Sequence, residues 1–304
     1  MKKNLCNICP RKCNINRTDS LGFCASGNFL SVSKVMLHKW EEPCISGTNP
    51  CVDANIGSGT IFFSGCNLRC IYCQNYNISQ ISHGKCITVN ILVDIFKQLE
   101  KKGAYNINLV TPTHYSHQII KALKIYKPQI PVVWNSSGYE SPETIKKLEG
   151  LVDVFLVDFK YYDSSLAQEL SFAKDYPHHA KATILECKRQ QPLNVFDENG
   201  LMKKGLIIRH LCLPNYTEDS KNIINWVNNN LGNDEIVSLM SQYVPMHKAL
   251  DNKKINRRLK PLEYKILVNH ISSLGFKNAY IQDFDSQSSD YTPNFDKSSD
   301  DIVF

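Results

Sequence analysis

Three cysteines within a run of eight residues, Cys66, Cys70 and Cys73, carry the strongest chemical signal in the chain. Their spacing, C-x3-C-x2-C, suits three corners of a 4Fe-4S cube, whose irons take thiolate ligands. A cube with only three protein ligands keeps one iron free, much as a catalytic zinc keeps a position for its substrate. The expected chemistry is therefore reaction at an open iron, not electron storage alone. A zinc knuckle, or three unrelated thiols in a strand-to-helix turn, is the plainer alternative. Against it stands the position of the motif, at the end of a strand within a regular repeat.

A second constellation, Cys6-x2-Cys9-x3-Cys13-x10-Cys24, places four thiols near the N-terminus. Four ligands saturate a tetrahedral zinc or a closed iron-sulfur cluster, so this site is expected to be structural or electron-relaying, with either metal open. Arg11, Lys12 and Arg17 lie between the thiols and would balance their charge. Cys44, Cys51, Cys86, Cys187 and Cys212 show no ligand spacing. Cys44 and Cys51 are candidates to pair with each other or with a partner; Cys187 and Cys212 read as small buried apolar residues.

The elements that must position these groups form a repeat. Short apolar runs at 60–64, 107–110, 132–134, 154–159, 206–211 and 236–240 read as strands, and 89–101, 115–126, 142–148, 164–173, 218–230 and 262–273 as helices. Six β-α units imply an α/β fold with a parallel sheet and outer helices, a partial (β/α)6 TIM-type barrel. Polar residues follow the strands at the end where such a barrel places its chemistry. They include Thr111-Pro112-Thr113-His114, Asn135-Ser136-Ser137, Asp158-Phe159-Lys160, Arg209-His210 and Gln242-Tyr243. Strand alternation puts Asp158 and Lys160 on one face, where a carboxylate and an ammonium can orient a polar ligand or form a structural ion pair. His210 should point away from Arg209. The domain reading is a Cys-rich appendage over 1–55, a core barrel over 56–284, and an extended acidic, serine-rich tail over 285–304.

Composition sets outer limits. With 304 residues, 42% of them hydrophobic, the chain can bury a large core. Twelve cysteines in spaced clusters, in a chain this long, favour ligation over a secreted disulfide framework. No stretch reaches the roughly 20 apolar residues of a membrane span, and Met1-Lys2-Lys3-Asn4 leads to Cys6 without a signal-peptide core; a cytoplasmic protein with no membrane partner is expected. The net charge of +6 is too mild to demand nucleic acid. The basic stretch from Lys248 to Lys265 reads as a solvated helix face, with docking of an acidic electron donor as the alternative.

Around the three cysteines, with Tyr72 just before the third, the chain resembles the radical S-adenosylmethionine (SAM) enzymes. Gly65-Cys66-Asn67-Leu68-Arg69-Cys70-Ile71-Tyr72-Cys73-Gln74-Asn75 is similar to the cluster loop of the pyruvate formate-lyase activating enzymes, and more closely to that of their less understood homologues. Glu41-Glu42-Pro43, Gly57 to Ser64, Arg209-His210-Leu211 and Met240-Ser241-Gln242-Tyr243 are similar to segments of the same homologues. The resemblance implies one 4Fe-4S cluster at Cys66, Cys70 and Cys73 whose free iron chelates the methionine moiety of SAM, and reductive cleavage to methionine and a 5'-deoxyadenosyl radical. It implies cofactor contacts at Tyr72, Asn135, Ser136, Ser137 and Arg209, the last toward the SAM carboxylate. It gives Asp158 and Lys160 a place at the reacting centre through an Asp-Leu-Lys-like triplet. The family's Gly-Gly-Glu segment is missing: Thr111 to His114 stands there with no carboxylate. Residues 48–56, with Cys51, read as an insertion. The implied activity is installation of a glycyl radical on a partner enzyme, with flavodoxin or ferredoxin as electron donor. Alternatives are another peptide, small-molecule or RNA substrate, or a non-enzymatic iron-sulfur carrier or sensor.

Overall fold

Strands covered on both faces read as continuous apolar runs, and three segments of this kind, 107–110, 132–136 and 154–158, are buried almost end to end. The computed structural model describes residues 5–47, 56–81, 83–287, 293 and 295. The chain begins with β1 (Leu30–His38), α1 (Pro43–Ser46), β2 (Ser58–Phe63), α2 (Tyr76–Ser79), β3 (Lys85–Ile87) and α3 (Val89–Lys101). Next come β4 (Ile107–Val110), α4 (Ser116–Ile125), β5 (Val132–Ser136), α5 (Pro142–Lys146), β6 (Val154–Asp158), α6 (Ser164–Ser171) and α7 (Tyr176–Gln190). It continues with β7 (Val195–Phe196), β8 (Met202–Leu211), α8 (Thr217–Leu231), β9 (Ile236–Met240), α9 (Pro261–Ser273) and β10 (Asn278–Ile281).

The strands join in the order β10-β9-β8-β6-β5-β4-β2-β1-β3, with β7 attached to β8. From β2 to β10 along this path every pairing is parallel; β1 and β3 are antiparallel. The sheet does not close, so the architecture is the partial α/β barrel expected from the repeat. Helices begin where the sequence signals them. The Thr88 side chain accepts from the Ile91 amide and Asp163 from the Leu166 amide, and Pro142, Pro177 and Pro261 open helices with the fixed φ of the first turn.

Three features depart from the reading of the sequence. The segment 1–55 is not an appendage throughout: β1 pairs with β2 over Val32–His38 and belongs to the main sheet. Helix α7 and the parallel strand β10 were not expected, so the barrel carries more than six units. Of the expected extended tail, 285 and 286 close a 3-10 turn and Pro293 lines the central cavity, while Phe295 packs edge-on against Phe62. Apart from Gln287, which donates to Phe284 O, the rest of the tail lies outside the described residues, as do 48–55 of the insertion at 48–56. Among the described residues no helix is long and apolar enough to cross a membrane.

Candidate active site

The site grows out of strand alternation. Inside the barrel a small apolar layer forms from Val133 on β5, Val154 and Leu156 on β6, Ile207 on β8 and Ile236 on β9, closed from one end by Cys44 and Ile45 of α1. Two residues further along each strand, on the same face, stand Asn135, Asp158, Arg209 and Ser238. Register keeps three of them level, because Asp158 pairs with Arg209 and Arg209 with Ser238. A period of two thus converts an apolar layer into a polar one at the carboxyl ends of the strands, where barrels put their chemistry.

Above that layer the loop after β2 turns at Gly65, whose φ of +85° is left-handed and whose Cβ position would fall 2.4 Å from the Cys24 carbonyl oxygen. Cys66, Cys70 and Cys73 all line one cavity, together with Thr111, Asn135, Ser136, Ser137, Asp158, Lys160, Arg209 and Gln242. Each sulfur receives a hydrogen-bonding partner: the Leu68 amide to Cys66 (3.4 Å), the Ser171 hydroxyl to Cys70 (2.9 Å), and Ser79 Oγ beside Cys73 (3.2 Å). Burial, with the nearby Cys70 charge, pushes the Cys73 thiol up to about 11 and the Cys66 thiol further. Metal binding would displace those protons. The Ser137 hydroxyl is buried with no hydrogen-bond partner beside the same cavity.

These residues fit a 4Fe-4S cluster: three convergent thiols, supporting N–H and O–H groups, and an unpaired polar atom nearby. Among the described residues no three His, Cys, Asp or Glu side chains stand as close as ligands of one metal ion would.

Asp158 and Lys160 form an ion pair at 2.5 Å, both largely buried on the cavity wall. Burial opposes the Lys160 charge, but Asp158 and the thiols of Cys70 and Cys66 outweigh it and hold the ammonium above the ordinary lysine value. Tyr176 fixes the turn by donating to the carbonyl of Asp158 or Ser137 (2.9 Å each) and accepting from the Lys160 amide (2.9 Å). Tyr72 is not a wall of the cavity. Its hydroxyl meets that of Tyr161 at 2.6 Å inside the core, and Tyr161 meets Ser171, which donates to Cys70. The Tyr72 hydroxyl thus begins a hydrogen-bonded chain that ends on the Cys70 sulfur.

Arg209 lines the cavity, but the fork expected to hold a SAM carboxylate is already engaged. Nε donates to Glu42 Oε1 (2.9 Å), and Nη2 to Glu42 Oε2 (2.7 Å) and Glu41 Oε2. Glu41 also accepts from Asn108 and Asn135 (3.2 and 3.3 Å). Burial alone would raise the Glu42 carboxyl; the Arg209 charge and hydrogen bonds win and hold it below the usual range. The role of Glu41 and Glu42 was not foreseen. The available signal was an acidic pair before a proline, next to a strand.

His114 is buried against Ser64 O (2.8 Å), its imidazole pushed down to about 3 by burial, and it is not a wall of the cavity. Thr111, at a left-handed φ of +58°, lines the cavity where the Gly-Gly-Glu segment was missing. His210 points away from Arg209, as alternation requires: Nδ1 donates to Phe159 O (2.7 Å) and Nε2 meets Ser220 (2.8 Å). In the basic stretch Arg257 pairs with Glu263 and Lys254 with Glu169. Cys9, Cys13 and Cys24 lie close enough to act on one another's charge, and Cys44 is a buried free thiol.

Residues 60–227 match the model of the Radical SAM superfamily, and the chain belongs to that superfamily. Membership implies a 4Fe-4S cluster and SAM. The chain is 34% identical over 266 residues to the uncharacterized protein MJ0674 of Methanocaldococcus jannaschii, a match covering 84% of this chain and 70% of that one. It is 23% identical over 266 residues to the uncharacterized protein MJ0808 of the same organism, covering 81% and 72%. Among solved structures it is similar to methylornithine synthase (PylB), at 16% identity and a TM-score of 0.48, covering 71% of this chain and 60% of that one. It is also similar to Streptococcus suis SuiB bound to S-adenosylmethionine, at 15% identity and a TM-score of 0.47, covering 72% and 48%.

Proposed function

We propose that the protein generates a 5'-deoxyadenosyl radical to remove a hydrogen atom from a backbone glycine of a partner enzyme, as a homologue of the pyruvate formate-lyase activating enzymes. The observation that carries the radical chemistry is the convergence of Cys66, Cys70 and Cys73 on one cavity with the Asp158–Lys160 pair. Cys66, Cys70 and Cys73 would hold a 4Fe-4S cluster there, and that cluster would supply the one electron needed for reductive cleavage of the SAM sulfonium to methionine and the radical. The chain's own residues hold and orient. Asn135, Ser136 and Ser137 would meet SAM with hydroxyl and amide groups, Ser137 through a hydroxyl now unpaired. Lys160 stays protonated beside Asp158 and presents a fixed dipole to whatever enters.

The choice of a glycine rests on the likeness of the 65–75 loop and of the 158–160 triplet to the activating enzymes. Physical chemistry favours the same target: a glycine lets a loop approach closely, and its α-radical spreads onto two amides. A second cavity, sharing Trp40, Glu41, Arg209 and Met240 with the first, extends past α1 toward β10 and offers a path for such a loop. The donor would be a reduced flavodoxin or ferredoxin. The test is to mix reduced protein and SAM with glycyl-radical enzymes of the host. A glycyl doublet in electron paramagnetic resonance supports the reading. SAM cleavage with every such enzyme silent transfers it to another peptide or small-molecule substrate.

A further inference from the structure

The N-terminal cysteines stand one layer behind the catalytic loop, and their surroundings are built for a negatively charged centre. Cys6, Cys9 and Cys13 ride on a tight turn: the Cys6 amide donates to Ile15 O (2.8 Å), Asn14 to Cys6 O (3.0 Å) and Lys12 to Cys9 O (3.0 Å). Lys12 and Asn14 take left-handed φ values of 41° and 51°, a region that a lysine disfavours and an asparagine tolerates. The sulfurs of Cys13 and Cys24 lie 3.7 and 3.3 Å from the same point, where a Cβ on Gly22 would be. The Phe23 amide donates to the Cys13 sulfur at 3.4 Å, and the Asn67 side chain hydrogen-bonds Cys9.

An independent observation points to a ligand. Arg17 lies within charge range of Cys24; its Nη1 donates to His114 O and its guanidinium sits over the Tyr115 ring, but Nε and Nη2 are buried with no hydrogen-bond partner. Leaving two buried guanidinium donors unpaired is costly, and neutral thiols do little to relieve it. Four thiolates on a metal centre would. Cation-π contacts clamp the assembly to the catalytic loop: Arg11 stacks on Phe23 at 3.8 Å and Arg69 on the same ring at 4.6 Å, while Arg11 Nε donates to Asn67 O (2.9 Å).

We infer that Cys6, Cys9, Cys13 and Cys24 hold a second iron-sulfur cluster, the entry point for the electron that the catalytic site consumes. Zinc fits less well. Zinc sites tend to space their ligands as two pairs, whereas x2, x3 and x10 is a triplet with one distant member, the pattern of iron-sulfur proteins. Position supplies the role. Cys6 and Cys13 are half-buried toward solvent, and Cys9 and Cys24 are buried on the inner side. Asn67, which touches Cys9, follows Cys66 in sequence, and the Cys24 carbonyl abuts Gly65, which precedes it. One electron from a reduced flavodoxin or ferredoxin would enter here and move inward by that short path. The role, though not the metal site, rests on the proposed radical chemistry.

The test is a metal count on the variant carrying Cys66→Ala, Cys70→Ala and Cys73→Ala, reconstituted without oxygen in iron, sulfide and zinc. About four irons and four sulfides per chain and a signal after dithionite reduction are expected. One zinc per chain, or no metal, overturns the site. Should that variant fail to fold, wild type against Cys9→Ser/Cys24→Ser decides it: about eight irons falling to about four, against about four in both. The role is read by stopped-flow reduction of those same two proteins. Loss of the fast phase with reduced flavodoxin, but not with dithionite, is expected; equal rates with flavodoxin overturn electron entry and leave the metal count standing.

Discussion

Replacing Arg209 with leucine tests the charge cluster at the floor of the site. In the wild type the Arg209, Glu41 and Glu42 side chains retain 14%, 8% and 5% of their exposure, so solvent screens them little. Removing one partner of such a pair leaves an uncompensated buried charge and costs about 3–5 kcal/mol. Arg209 forms two hydrogen bonds with Glu42 and one with Glu41, which puts Arg209→Leu toward the upper end. The pH dependence separates this mechanism from simple loss of packing. In the wild type Glu42 has a lowered folded-state pKa, so its contribution is present above the ordinary carboxylate value and is lost as pH falls through the lowered one. Without Arg209 burial is opposed only by hydrogen bonds from Ser238 and the Glu42 backbone, and the Glu42 pKa is expected to rise above its unfolded value. The penalty is then greatest at neutral pH and fades as acid protonates the carboxyl. Urea unfolding of both proteins, followed by circular dichroism at pH 5 and pH 8, should show the gap at pH 8 and a narrower one at pH 5. A loss below about 1 kcal/mol at pH 8, the range of an exposed pair, or a gap independent of pH, would refute the reasoning.

Gly65→Ala should weaken the cluster loop, because the methyl would fall 2.4 Å from both Cys24 O and Ser26 Oγ at a φ of +85°; iron retention during gel filtration should drop, and undiminished retention would count against the close approach. His210, pushed down to about 4 by burial against an unfolded value near 6.5, makes the wild type lose roughly 3 kcal/mol as pH falls from above the unfolded value to below the folded one. The unfolded chain binds the extra proton across that window, so stability rises with pH there; His210→Gln should flatten the slope, and an unchanged slope assigns it to other groups. Lys160→Met removes the ammonium between Asp158 and the thiols while keeping length, and should lower SAM cleavage at least tenfold with iron content held, as measured by deoxyadenosine release.

Much of the barrel was legible because strand runs and polar strand ends are local signals. Val154 to Asp158 reads as a strand within five residues, and alternation alone puts Asp158 above Leu156 on the inner face. The three-cysteine spacing was equally local. The partners of Arg209 were not: Glu42 is 167 positions away, and no short window contains a charge pair of that separation. The partner of the Tyr72 hydroxyl was out of reach for a similar reason, since Tyr161 stands 89 positions on. Helix α7 hid behind His178, His179 and a polar average, although Pro177 at its first turn was a usable start signal. In β1 the run Leu30–His38 contains Lys34 and His38, both buried, which blurred the apolar pattern of a sheet strand.

The central claim is that Cys66, Cys70 and Cys73 cradle an iron-sulfur cluster that opens SAM. The direct measurement is deoxyadenosine and methionine release from SAM by the anaerobically reconstituted, dithionite-reduced protein, beside the single variants Cys66→Ala, Cys70→Ala and Cys73→Ala. The wild type should release both products, and each variant should release neither above the protein-free control. Comparable release by any one variant, or none by an iron-replete wild type, would contradict the account.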